Sequence, residues 1–117
     1  MKTKLTALFS ALLISFGLMA MTVADDKEVK IKTSAVCEMC KERIERNLSF
    51  EKGVKEAVLD VDTKVVTVKF NPSKTDVNKI KANINKTGYD ADEAIADADG
   101  YKKLPSCCKK GAHSHKD

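Results

Sequence analysis

Cys37 and Cys40 stand two residues apart in Cys37-Glu38-Met39-Cys40, and theirs is the type and spacing that point most directly to chemistry. Placed where an extended segment gives way to a helix, such a pair can turn both sulfurs toward one point. A helix N-terminus also presents free amide hydrogens and a partial positive charge, which favours the thiolate over the thiol. Three readings follow: a metal site, a redox pair at a helix start, or an inert disulfide. For a metal, soft sulfur selects Cu(I), Ag(I) and Hg(II), and less readily Zn(II). Two sulfurs suit linear or bent coordination, whereas zinc asks for four ligands. No histidine precedes His113, so zinc would need the end of the chain or a partner.

That end holds a second concentration of ligands. Cys107 and Cys108 are adjacent, and His113 and His115 follow among lysines. Adjacent cysteines rarely bridge each other without strain, and a Cys and His tract is a compositional mark of metal binding. The group is a second soft-metal site, a set of extra ligands folding back onto Cys37 and Cys40, or a plain terminus whose thiols pair with other chains. Met39 carries a thioether, but its place between the cysteines predicts a solvated bystander.

The elements that position the first pair can be read from periodicity. Val29 and Ile31 alternate with Glu28, Lys30 and Lys32, the period of two of a strand with one wet face. After the cysteines, Cys40, Ile44 and Leu48 recur every four residues while Lys41, Glu42, Arg43, Glu45 and Arg46 face water, which predicts an amphipathic helix ending near Gly53. Val54 to Val61 and Lys64 to Phe70 alternate again, joined at Asp62-Thr63 by a hairpin turn. Pro72 stops the third strand, Ser73 or Thr75 can cap a second helix with Val77, Ile80 and Ile84 as its stripe, and Gly88 suits its C-terminal cap. Tyr89 to Ile95 predicts a short final strand. The expected fold is α+β, a βαββαβ ferredoxin-like sandwich whose four-stranded antiparallel sheet carries both helices on one face. Beyond Ala96 the pattern dissolves into Asp97-Ala98-Asp99-Gly100, and 98–117 is expected to be a flexible tail.

The chain of 117 residues opens with Lys2 and Lys4, an apolar run from Leu5 to Met21, and Thr22-Val23-Ala24 before Asp25. This is the tripartite pattern of a secretory signal at 1–24, cut after Ala24. The run is shorter than the about 20 apolar residues of a membrane span, so a periplasmic or secreted protein without stable membrane insertion is expected. About 93 residues would remain, enough for one small domain, 25–97, and the tail. Four cysteines in an exported chain ordinarily form two disulfides, but their spacing here argues for ligation. Basic and acidic residues number 21 and 17 and are interspersed, which argues against a nucleic-acid partner. The folded region holds no histidine, no glycine-rich phosphate loop and no evident carboxylate pair, so the protein is not expected to be an enzyme.

From Val29 to Ile95 the sequence resembles the heavy-metal-associated domains of copper chaperones, copper-ATPase amino-terminal modules and the periplasmic mercury-binding protein. The resemblance rests on Cys37, Cys40, Ile44, Glu45, Leu48, Gly53-Val54, the paired strands, Ile80, Ile84 and Gly88-Tyr89. It implies a carrier that passes its ion by thiolate exchange, with Cys37 and Cys40 as ligands and Tyr89 in the loop beside the metal. Ser34, Ala35 and Val36 depart from the family's usual Gly-Met-Thr, and Ala35 cannot fill the volume of the methionine. A redox domain of thioredoxin type would need another strand order and usually a proline or aromatic residue around the pair. The expected function is a monomeric periplasmic Cu(I) carrier or buffer whose partner is a membrane metal transporter or another metal-binding domain. Hg(II) scavenging and thiol-disulfide exchange are the alternatives.

Overall fold

A computed structural model of the protein describes residues 26–110. The expected signal at 1–24 and the histidines at 113 and 115 lie outside the described residues. Strand β1 runs Lys27–Lys32, helix α1 Glu38–Ser49, β2 Val54–Asp60, β3 Val65–Phe70 and α2 Val77–Thr87; a short helix α3, Ala98–Lys102, and a 3-10 turn, Ser106–Cys108, follow. The first five stand in the expected order and close to the expected bounds.

The strands form an antiparallel sheet in the order β1-β3-β2. Register sets Val29 opposite Val68 and Ile31 opposite Val66, with Ala57 and Leu59 against the same two residues from the other side. Alternation therefore gathers the branched side chains on one face. Ile31, Leu59, Val66, Val68 and Phe70 are buried there with Ile44 and Leu48 of α1 and Ile80 and Ile84 of α2. Each such side chain contributes about 1.5–3 kcal/mol through burial. Between β2 and β3 the Asp60 carboxylate accepts the amides of Asp62 and Thr63 at 2.9 and 3.3 Å, and Lys64 closes the turn at φ 63°.

Two cap assignments divide. Gly88 ends α2 in the left-handed conformation, φ 115°. Its N-cap, however, is Asp76, whose carboxylate accepts the Lys79 amide at 2.8 Å. Ser73 instead donates to Asn71 at 2.7 Å, and Thr75 is buried with its hydroxyl unpartnered.

Four strands were expected, and three are present among the described residues. Over the segment 89–95, Ala91 bridges only to Thr33 and Ala94. Asp92, at φ 52°, turns the chain back on itself. Its amide donates to the Lys32 carbonyl at 2.8 Å and its carboxylate accepts the Lys32 amide at 2.9 Å. The segment thus lies along the free edge of β1, where a fourth strand would pair, but a side chain supplies one of the rungs. Asp90, Asp92 and Glu93 are poor strand formers, and Ile95 is 79% exposed, so beyond Ala91 no buried apolar side chain holds the segment to the sheet.

The residues after Ala96, expected to be mobile, are folded onto α2 as far as residue 110. The Asp97 amide donates to the Asn85 carbonyl at 3.0 Å, and the Asp97 carboxylate caps α3 through the Gly100 amide at 3.0 Å. Gly100 sits so close to the end of α2 that a Cβ there would overlap the Lys86 carbonyl oxygen. Leu104 and Cys108 are buried in the main core, and the Lys110 ammonium meets the Asp90 carboxylate at 2.6 Å. The physical reason is apolar spacing: Tyr101, Leu104 and Cys108 recur at intervals of three and four, and all three pack against the core.

Candidate metal centre

Cys37 is the N-cap of α1, extended at φ −156° and ψ 174°, and no side chain caps the helix's first amides. Its carbonyl accepts the Lys41 amide at 3.1 Å. Cys40 lies within the first turn, so helix geometry swings its sulfur back toward Cys37, and the two Sγ atoms are 3.4 Å apart. The loop before them is tied at both ends. Thr33 donates its hydroxyl to the Lys64 carbonyl at 2.8 Å and accepts the Ala35 amide at 3.2 Å, while Ser34 accepts the Asp90 amide at 2.9 Å. Ala35 is fully buried, and Leu104 and Cys108 join it in the same cluster.

That segment brings in a third sulfur. The Sγ atoms of Cys37, Cys40 and Cys108 all lie within 4.8 Å of one another, and all four cysteines are free thiols. The carbonyls of Cys107 and Cys108 stand 3.7 Å from Cys37 Sγ and 4.0 Å from Cys40 Sγ. Cys107 stands at the rim of the triad, with its sulfur 3.5 Å from Met39 Sδ and 3.9 Å from Cys108 Sγ. Met39 is 49% exposed, as expected of a bystander, yet it is in contact with this second thiol.

Tyr89, expected beside the metal position, is fully buried. Its hydroxyl makes no well-formed hydrogen bond, and the thiols of Cys40 and Cys108 are the polar groups that influence it. Burial and then those two thiols push its ionisation far above the usual phenol range, so it stays neutral and able to donate. Burial works to raise the Cys40 thiol, but the Tyr89 hydroxyl, the Val36 backbone, Cys108 and Cys37 outweigh it and bring the thiol below its ordinary value. Burial, followed by the neighbouring Cys40, pushes Cys108 up to about 12. Neighbouring thiols this close oppose a shared second negative charge. A soft cation would relieve that opposition.

The structure thus unites Cys37, Cys40, Cys108 and Tyr89, sets Cys107 and Met39 alongside, and leaves His113 and His115 outside its described residues. Cys108 was foreseen only as one of three uses of the tail. The signal that singles it out is its place in the Tyr101, Leu104 and Cys108 spacing.

The family model for the heavy-metal-associated domain matches residues 29–90. A copper-exporting P-type ATPase of Staphylococcus saprophyticus is 36% identical over 70 residues, 58% of this chain and 9% of that protein. Its counterpart in Staphylococcus haemolyticus is 34% identical over 77 residues, 66% of this chain and 10% of that protein. The chain spans about a tenth of the length of these relatives. Among solved structures, the N-terminal domain of a potential copper-translocating P-type ATPase from Bacillus subtilis, in its Cu(I)-loaded state, has a TM-score of 0.55 at 28% identity, covering 58% of this chain and 86% of that one. The CopZ metallochaperone gives 0.54 at 27%, covering 56% and 98%. Oxidised MerP from Ralstonia metallidurans CH34 shares the fold, with 0.55 at 22%, covering 57% and 94%. The family match ends before α3, so Cys107 and Cys108 lie beyond it.

Proposed function

The chain belongs to the heavy-metal-associated domain family, and on that premise we propose that it binds a soft cation, Cu(I) foremost, through Cys37 and Cys40 and passes it on by thiolate exchange. The observation that carries this reading is the 3.4 Å approach of two free thiols at an uncapped helix N-terminus. One of them remains partly exposed, as exchange with an incoming ligand requires. Copper is favoured over the other soft ions because the relatives at 34–36% identity are copper exporters and a Cu(I)-loaded domain shares the fold at 28% identity.

The partner is a metal-binding module of a membrane transporter or a second soluble carrier. On the tripartite pattern of 1–24 the protein is exported and acts outside the cytoplasm. Among the described residues no helix is long and apolar enough to cross a membrane. Its role is carriage or buffering rather than catalysis.

The test is an anaerobic competition of the reduced chain among Cu(I), Hg(II) and Zn(II), read by native mass spectrometry, on the wild type and a Cys37→Ser, Cys40→Ser double variant. One Cu(I) per wild-type chain and none on the double variant are expected. Preferential retention of Hg(II) would turn the reading toward mercury scavenging. Full metal retention by the double variant would remove the site assignment.

A further inference from the structure

We infer that Cys108 is a third ligand, so that the ion sits among three sulfurs beneath the C-terminal segment and leaves only when that segment lifts. This rests on the soft-metal reading of Cys37 and Cys40 and adds the ligand set and its control.

The sulfur separation favours a narrow angle at the metal over a linear one, and a third sulfur stands where that angle leaves room. With metal–sulfur bonds of about 2.3 Å, sulfurs across a linear ion stand about 4.6 Å apart, and those around a trigonal ion about 4.0 Å apart. Cys37 and Cys40 are 3.4 Å apart. Linear binding would have to spread them by more than an ångström, roughly twice the adjustment that trigonal binding asks. The third sulfur is already present, because Cys108 lies within 4.8 Å of both. Its position is not a loose contact. Cys108 is 1% exposed and Leu104 is 5% exposed, and the Cys108 amide donates to the Pro105 carbonyl at 2.9 Å. A second observation points to the same place: the fully buried Tyr89 hydroxyl lacks a well-formed partner and has Cys40 and Cys108 as its neighbours. A thiolate there would give it an acceptor.

Besides the packing of Tyr101 and Cys108 on the core, the segment that carries Cys108 is held at discrete points, and it lifts as a unit when they part. They are the Asp97 amide on Asn85, the close seat of Gly100 on Lys86, the Leu104 side chain, and the Lys110–Asp90 ion pair. Once it lifts, two sulfurs remain, and an acceptor with its own thiolates can take the third position.

The experiment loads the full reduced chain with Cu(I) and reads the sulfur coordination number by X-ray absorption, together with Cu(I) loss to a colorimetric chelator. Wild type should show three sulfurs. Cys108→Ser should show two and lose copper at least tenfold faster. Gly100→Val keeps every thiol but forbids the close seat on α2, and it should match Cys108→Ser in both readouts. Two sulfurs in wild type, a Cys108→Ser variant unchanged in both readouts, or more than one copper per chain would overturn the inference while leaving the Cys37 and Cys40 reading in place. A wild type that takes up no Cu(I), or a Cys37→Ser, Cys40→Ser variant that takes it up equally, would overturn both.

Discussion

The hydroxyl of Tyr89 and the thiol of Cys40 are buried together, and each shifts the ionisation of the other in the opposite direction. Tyr89→Phe keeps the ring and removes the donor that does most to lower the Cys40 thiol. The Cys40 thiol should then titrate at higher pH. Stability should change by less than about 1 kcal/mol, because the lost hydroxyl has no well-formed hydrogen bond to forfeit. Ultraviolet thiolate absorbance of the reduced apoprotein over a pH series, with a Cys40→Ser variant to identify its contribution, checks this, and superimposable profiles would make the hydroxyl a spectator.

Acid should release the C-terminal segment before it unfolds the domain. Burial acts to raise the Asp90 carboxyl, but the Lys110 ammonium and the Ala96 amide overcome it and hold the group below its ordinary value. A depressed carboxyl contributes stability that is present above its unfolded pKa, about 3.9, and is lost as pH falls through the lower folded value. Hydrogen-exchange protection of 98–110, measured after brief acid incubation, should be constant from pH 7 to 5 and fall below about pH 4. Asp90→Asn should produce the loosened state at neutral pH.

Glu45 and Lys41 fasten α1 to the open edge of β2. The Glu45 carboxylate accepts the Leu59 amide at 2.8 Å and the Lys41 ammonium at 2.9 Å, and Lys41 also donates to the Leu59 carbonyl at 2.8 Å. Glu45→Ala leaves a part-buried amide without its acceptor and should cost about 1–2 kcal/mol in urea unfolding. A loss near zero would mean that water replaces the carboxylate at that edge.

Asp76→Ala should cost about 1 kcal/mol through the lost cap of α2, whereas Ser73→Ala should cost much less, since Ser73 bonds only within its own turn. Equal losses in thermal unfolding would place the cap elsewhere.

Most of the βαββα framework was legible in the sequence because its apolar residues keep strict periods. Ile31, Ile44, Leu48, Val66, Val68, Ile80 and Ile84 are all buried as their spacing demands. Cys37 and Cys40 were legible for the same reason, since a strand and a helix flank them unambiguously. What failed was short and polar. Asp92 takes a left-handed turn that no alternation announces, and Lys41 and Glu45, assigned to water, bond a strand edge instead. The docked C-terminal segment was hidden by its composition: Asp97-Ala98-Asp99-Gly100 reads as a linker, yet Asp97 caps a helix and Gly100 permits its close seat. Only long-range packing distinguishes those uses of the same residues.

The three clustered sulfurs are not equally reachable: Cys40 and Cys108 are sealed, and Cys37 alone retains contact with solvent. Handover from such a cluster has a fixed first step. On the proposed ligand set that step is the departure of Cys108 with its segment; an acceptor then enters beside Cys37, the outer of the two remaining sulfurs, and the deeper Cys40 lets go last.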